Sequence, residues 1–244
     1  MSATPSSPSA FVEPGATLAE GVTLGAFAVI KAGTVLGKGV CVAEHAVLGG
    51  DPQDLTFDPT TPSGVEIGAG CRIREGVTIH RSTRDGEATV VGEQSFLMTN
   101  AHVGHDCRVG PHVILASGVL LGGHVEVGAH AFLGGNAVVH QFVRIGEGAI
   151  ISGGSRIAHD VPPFVMAEGH NRAAGLNLIG VKRRGFGSEV VSDLKRCYRA
   201  VLLAPGNPAA NATKHTAETP PGRQFLAFFA GGQRGFIKSR AKRG

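Results

Sequence analysis

Val91-Gly-Glu-Gln-Ser-Phe-Leu97-Met-Thr-Asn-Ala-His-Val103-Gly-His-Asp-Cys-Arg-Val109-Gly-Pro-His-Val-Ile-Leu115 opens a run, residues 91–162, that repeats every six residues. The aliphatic beat continues without a break through Leu121, Val127, Leu133, Val139, Ile145, Ile151 and Ile157. Four positions after each, the residue is small or β-branched, as at Ser95, Ala101, Cys107, Val113 and on to Val161. A helix repeats at 3.6 residues and a strand at two, so a rule at six points to a parallel β-helix. If three short strands make one triangular coil, each aliphatic side chain points inward and stacks on its counterpart about 4.8 Å away in the next coil. The small partner fits where the triangle turns. Glycine follows the aliphatic residue at Gly92, Gly104, Gly110, Gly122, Gly128, Gly134 and Gly146. There it suits corners that need positive φ or close backbone approach.

Composition agrees. Charged residues are only 17% and tryptophan is absent, as expected of a core built from stacked Val, Ile and Leu. The formal net charge is +4, with the excess late, in Lys182-Arg183-Arg184 and in Lys238-Ser-Arg240-Ala-Lys242-Arg243. That asymmetry suits an anionic partner for part of the chain and does not suit wholesale nucleic-acid binding. Cys41, Cys71, Cys107 and Cys197 form no CxxC pair and read as reduced core residues. No signal pattern and no membrane-length apolar run is present, which predicts a cytoplasmic protein with no transmembrane segment.

Along the chain, residues 1–9 read as disordered, and a β-helix domain spans 10–163. The beat starts at Val12, Leu18, Leu24, Ile30, Leu36, Val42 and Leu48, then breaks at 49–64, where prolines and aspartates predict a loop. It resumes at Ile67, Ile73 and Ile79, and a degenerate hexad at 84–90, with Asp85 in the aliphatic position, predicts a second loop. Val161-Pro162-Pro163 reads as the solenoid's end, because proline donates nothing to a ladder. Residues 164–187 read as a linker with a basic motif. A helical region follows over 188–244: one helix capped by Ser188 and running to Leu203, a loop over 204–222, and a helix over 224–243 weakened by Gly231, Gly232 and Gly235. The fold class is mainly β, a parallel β-helix with a small C-terminal α-helical appendage.

Period six also orders the polar residues. Every third hexad returns to one side of the triangle, so the hexads opening at Ile67, Asp85, Val103, Leu121, Val139 and Ile157 are expected to form one column. That column carries His105, Asp106, Gly123, His124, His140, Gln141, Phe142, His159 and Asp160, with His102 at its edge. A histidine beside an acidic residue is a candidate general base, since imidazole titrates near neutral pH. No serine or cysteine stands beside them as a nucleophile, which favours direct transfer to a substrate hydroxyl or amine.

Several motifs together resemble one enzyme family. They are Asp51-Pro-Gln-Asp-Leu55, Ile73-Arg-Glu-Gly-Val-Thr-Ile-His-Arg-Ser-Thr83, Asn100-Ala-His-Val-Gly-His-Asp-Cys107, Gly123-His124, Val139-His-Gln-Phe142, Asp160-Val-Pro-Pro163 and Gly180-Val-Lys-Arg-Arg-Gly-Phe186. Over residues 10–187 the chain resembles the acyl-(acyl-carrier-protein)–UDP-N-acetylglucosamine O-acyltransferases of lipid A biosynthesis. The resemblance implies a left-handed coil and a homotrimer with sites between neighbouring solenoids. It also implies transfer of a 3-hydroxyacyl chain from an acidic acyl carrier protein to the 3-hydroxyl of UDP-N-acetylglucosamine, with no cofactor and no metal.

By motif position it makes His105 the base, Asp106 its partner and Gly123 N–H the oxyanion donor. It gives substrate contacts to Gln53, Asp54, His102, His124, His140, Gln141, Asn177, Arg183 and Arg184, and a measure of acyl length to Gly153. Thr56 stands where the family usually has lysine, and Ile179 where an acidic residue can occur. Alternative readings are transfer to a 3-amino sugar, a zinc solenoid like the γ-class carbonic anhydrases, a related N-acyltransferase, and a non-catalytic scaffold.

Overall fold

A computed structural model describes residues 7–239. The chain winds as a left-handed parallel β-helix whose two- to five-residue strands fall on three faces. The first face stacks Phe11–Val12, Val29–Ile30, Val47–Gly50, Thr78–His80, His102–Val103, Leu120–Leu121, Val138–Val139 and Arg156–Ile157. The second runs from Thr17–Leu18 through Ala88–Val91 and Arg108–Val109 to Arg144–Ile145, and the third from Thr23–Leu24 through Ile114–Leu115 to Ile150–Ile151. The sixth-residue aliphatics fill the prism. Ile30, Leu48, Ile79, Leu97, Leu115, Leu121 and Leu133 are completely or almost completely buried, and each contributes on the order of 1.5–3 kcal/mol. Their small partners, including Ala101, Cys107, Val113 and Ala137, are likewise inaccessible.

The glycines that directly follow the aliphatic residue do not take positive φ. Gly92, Gly104, Gly110, Gly122, Gly128, Gly134 and Gly146 all have ordinary φ, and what requires glycine is close approach: a Cβ on Gly92 would lie 2.5 Å from the Pro111 nitrogen. The left-handed conformation instead falls two residues later, on Gln94, Asn100, Asp106, His112, His124, His130, Asn136 and Phe142, with φ of 56–64°. Such a backbone costs on the order of 1 kcal/mol for a residue with Cβ. The repeat sustains it because each coil's turn N–H groups bond the preceding turn, as His124 N bonds His105 O at 2.9 Å.

Several expectations are corrected. The column of Val103, Leu121, Val139 and Ile157 continues downward to Ile79 and Leu48. Ile67 lies on the second face, paired with Leu36 and Val91, and Asp85 sits in a loop. Residues 81–87 form an enlarged corner with six residues more than a regular coil, so the step from Ile79 to Val103 is 24 residues, and positions 88–90 of the expected loop belong to the strand Ala88–Val91. Residues 7–9 form a turn tied to Leu24 O through Ser7 N, while 1–6 lie outside the described residues. Cys41 is exposed, because it follows the inward Val40 and so points outward; the other three cysteines are buried.

Val161-Pro162-Pro163 does not end the sheet. Val165–Glu168 pairs parallel with Ile150–Ile151, and Arg172–Leu176 returns antiparallel to it, so residues 164–176 extend the third face. Then come α1 (Leu178–Arg183), α2 (Ser188–Tyr198) with a π-turn at Arg199–Leu203, α3 (Pro208–Ala212) and α4 (Pro220–Ala227). Gly187 is the N-cap of α2 and Ser188 its first residue. The expected loop over 204–222 holds α3 and the start of α4, and the expected helix over 224–243 stops at Ala230. Gly231, Gly232 and Gly235 let the chain leave the helix and cross back to the solenoid, where Lys238–Ser239 pairs with Arg172–Ala173. Residues 240–244, with three cations of the basic tail, lie outside the described residues. Among the described residues no helix is long and apolar enough to cross a membrane.

Candidate active site

The corner between the first and second faces gathers most of the titratable chemistry. His105-Asp106 follows the strand His102–Val103, Gly123-His124 follows Leu120–Leu121, and His140-Gln141-Phe142 follows Val138–Val139, so the three histidines do share one ridge. His105 Nδ1 lies 2.7 Å from Asp106 Oδ2. The left-handed φ of Asp106 turns its carboxylate back beneath the ring, and its N–H is held by Thr89 Oγ1 at 2.8 Å.

Three donors from the inserted segment hold that carboxylate: Ser82 Oγ at 2.5 Å, Thr83 Oγ1 at 2.7 Å and Thr83 N at 3.3 Å. Burial opposes ionisation of Asp106, but the bonds from Ser82, His105 and Thr83 outweigh it and hold the carboxyl down at about 2. With Asp106 ionised, Nδ1 is the donating nitrogen of His105 and Nε2 is left as the acceptor. Nε2 faces Gly123. A Cβ there would lie 2.5 Å from both Nε2 and Cε1 of His105, so the ring occupies the space a side chain would need. The N–H groups of Gly122 and His124 are bonded to the coil, at 2.9 Å each, whereas Gly123 N–H donates to no group among the described residues.

His124 stands edge-on to His105, centroids 5.1 Å apart, and stacks on Phe142 at 4.5 Å. Its Nε2 is 3.7 Å from Asp106 Oδ2. Burial pushes its pKa down, against the pull of Asp106. His102 bonds Thr78 Oγ1 through Nδ1 at 2.8 Å and meets His80 edge-on at 4.8 Å. Burial, helped by His80 and His105, lowers the pKa of His102 to about 4, so it acts as a neutral hydrogen-bonding group. A cleft of about 330 Å³ opens beside this cluster, lined among others by Arg84, Asp106, His124, Phe142, Arg144 and Gln233.

Ligand atoms of His105, Asp106 and His124 lie within 4.8 Å of one another, the spacing of a possible metal group. Asp106 Oδ2, however, is already taken by His105 Nδ1 and Thr83 Oγ1. A cation would have to displace both bonds, so the donor set fits proton transfer better than ligation.

The remaining sequence candidates are dispersed. His140 and Gln141 are exposed one coil beyond Gly123, and His159 is exposed a further coil on. Gln53 and Asp54 lie on the loop 51–63, at the same corner nearer the N-terminus. Asp54 Oδ1 accepts from Thr56 N at 2.9 Å and Thr56 Oγ1 at 2.8 Å, and those bonds lower its pKa. Asn177, Arg183 and Arg184 belong to the corner between the second and third faces, around a cleft of about 190 Å³ that His112 and His130 also line. Asn177 caps α1 through Gly180 N, and Arg184 pairs with Glu147. Ile179 is exposed on α1. Gly153 lies at the third corner, after Ile150–Ile151.

Sequence reading assigned no role to His80, Arg81, Ser82 or Thr83. They stand in a quoted motif, but the six extra residues at the corner hid that they flank His105.

Comparison with known proteins follows the same lines. A family model described as bacterial transferase hexapeptide (six repeats) matches residues 10–50, 88–123 and 124–159. Another, described as UDP N-acetylglucosamine O-acyltransferase, domain 2, matches 160–237. The acyl-(acyl-carrier-protein)–UDP-N-acetylglucosamine O-acyltransferase of Rhizobium johnstonii is 39% identical over 209 residues, 84% of this chain and 76% of that one. LpxA of Acinetobacter baumannii superposes with a TM-score of 0.85 at 29% identity, over 95% of this chain and 99% of that one. The UDP-N-acetylglucosamine acyltransferase of Bacteroides fragilis gives 0.85 at 30% identity with the same coverage.

Proposed function

The chain belongs to the acyl-(acyl-carrier-protein)–UDP-N-acetylglucosamine O-acyltransferase family, and from that premise we propose a direct transfer driven by His105. The donor is a 3-hydroxyacyl thioester of acyl carrier protein and the acceptor the 3-hydroxyl of UDP-N-acetylglucosamine. His105 Nε2 takes the hydroxyl proton as the sugar oxygen attacks the thioester carbonyl. The carbonyl oxygen gains negative charge and accepts a hydrogen bond from the Gly123 N–H, a contact typically worth a few kcal/mol in the transition state. Collapse forms the ester and breaks the C–S bond, and the proton on Nε2 leaves with the carrier's thiolate. Asp106 keeps Nδ1 protonated throughout and stabilises the imidazolium.

The observation that carries this reading is the junction of Asp106, His105 and the free Gly123 N–H. His102 and His124, on either side, have suppressed charge and suit hydrogen bonding to sugar or acyl groups, a role that Gln53 and Asp54 would share.

Asn177, Arg183 and Arg184 stand at another corner from His105, and Gly153 at the third. One chain cannot offer all three corners to a single substrate, but copies packed side by side can. This supports a homotrimer with shared sites, in which the basic corner meets nucleotide phosphates or the acidic carrier, His140 and Gln141 meet the nucleotide, and Gly153 limits the acyl chain.

The test is to incubate the protein with UDP-N-acetylglucosamine, or its 3-amino analogue, and a set of 3-hydroxyacyl carrier proteins, and to identify products by mass. An ester product that His105→Ala reduces by roughly 10³-fold or more, with the assembly intact, is expected. A product from the amino sugar alone would reassign the acceptor. Equal turnover by the variant, or stoichiometric zinc in purified protein, would overturn the mechanism.

A further inference from the structure

The first-face strand Thr78–His80 breaks register with Val47–Gly50 between Ile79 and His80, so that His80 aligns with Gly50. This irregularity starts a four-residue segment that does three things. His80 packs edge-on against His102. Ser82 and Thr83 hold Asp106. Between them, Arg81 reaches into the loop 51–63, where its Nε donates to Asp51 Oδ1 at 2.8 Å, its Nη2 to Pro59 O at 2.7 Å, and its Nη1 to Thr61 O at 2.6 Å and Ser63 Oγ at 3.3 Å. The guanidinium also lies 4.8 Å from the Phe57 ring centroid.

The backbone reinforces the grip at both ends of the loop. Arg81 N donates to Gly50 O at 2.9 Å, Ser82 N to Gly64 O at 3.3 Å, and Ser63 Oγ to Ser82 O at 2.6 Å. Among the described residues, apart from the Asp54 and Asp58 turns onto their neighbours, the side-chain bonds holding this loop all come from Arg81 or reach Ser82.

We infer that Arg81 is a positioning residue: it seats the 51–63 loop over the His105 corner, and its segment joins acceptor binding to the orientation of Asp106. The inference rests on the reaction proposed above, in which Gln53 and Asp54 on this loop meet the acceptor. A loop of thirteen residues with few apolar anchors gains its one conformation from these bonds, and a planar guanidinium is the group that can reach four oxygens in a fixed fork. Lysine keeps the charge and loses the fork.

The experiment measures Arg81→Lys and, in case that variant folds poorly, Asp51→Ala, which removes a single partner outside the solenoid. In Arg81→Lys, KM for UDP-N-acetylglucosamine should rise about tenfold, the size of one lost charge-assisted hydrogen bond, while kcat changes by less than about threefold. KM for the acyl carrier donor should stay put. Hydrogen exchange should quicken within 51–63 and remain unchanged at His102–Val103 and Leu120–Leu121. Asp51→Ala should move both readouts the same way by less.

Unchanged exchange in the loop would overturn the inference, as would faster exchange with an unaltered acceptor KM or a fall confined to kcat. Absence of transfer by the unaltered protein would instead remove the proposed reaction. The exchange measurement would still report whether Arg81 holds the loop.

Discussion

Gly123→Ala puts a single methyl group where the reaction is proposed to occur. The added Cβ would lie 2.5 Å from Nε2 and Cε1 of His105, while ordinary contact begins at 3.4 Å, so the ring must retreat by about 0.9 Å. That motion works against the 2.7 Å bond to Asp106 and the edge contact with His124. A misplacement of about 1 Å in a proton-transferring group costs roughly 10²-fold. The backbone is no obstacle, since Gly123 has ordinary φ, and alanine retains the N–H, so the loss isolates ring position from oxyanion donation. The assay is kcat/KM with UDP-N-acetylglucosamine and a 3-hydroxyacyl carrier protein, beside a thermal melt. A fall of about 10²-fold with unchanged Tm is expected, whereas Gly122→Ala, whose Cβ would meet Gln141 N at 2.9 Å between coils, should lower Tm first. Activity of Gly123→Ala within about threefold of the parent would refute the account of why glycine stands there.

Asp106→Asn should lower kcat by roughly 10²–10⁴-fold without changing KM for the sugar, because an amide can present its N–H₂ to Nδ1 and reverse the tautomer; single-turnover rates with preserved nucleotide binding check it. Acidification should destabilise the fold in two windows. His102 titrates at about 4 when folded against 6.5 otherwise, so the fold holds its ring neutral and stability falls as pH drops from 6.5 to about 4. Asp106, at about 2 against 3.8, adds stability above 3.8 that is lost as pH falls toward 2. Melts over this range should show Tm dropping in the upper window and His102→Gln flattening it; a drop of equal size in that variant would exclude His102 as the cause. Gly153→Met should shift donor preference to shorter acyl chains, read by competition among carrier-linked donors, and an unchanged profile would disprove that Gly153 measures the chain.

The six-residue beat was enough, without coordinates, to specify a parallel solenoid, because only that architecture brings an inward residue to the same azimuth every sixth position. It likewise identified His105, Asp106, Gly123 and His124 as neighbours, since regular coils convert a separation of eighteen residues into one strand spacing. That arithmetic failed where coils are irregular. The insertion at 81–87 moved the lower half of the column to Ile79 and Leu48, and with it hid Ser82 and Thr83, which hold Asp106. Nor could a linear pattern show that the left-handed backbone belongs to Asp106 and His124 and not to Gly104 and Gly122 beside them, because both close approach and positive φ favour glycine and only packing tells them apart. Local periodicity determined the prism and its ridge of histidines. The seating of the two loops, the tautomer of His105 and the dispersal of Asn177, Arg184 and Gly153 to other corners depend on contacts between residues far apart in the chain, and only tertiary structure decides those.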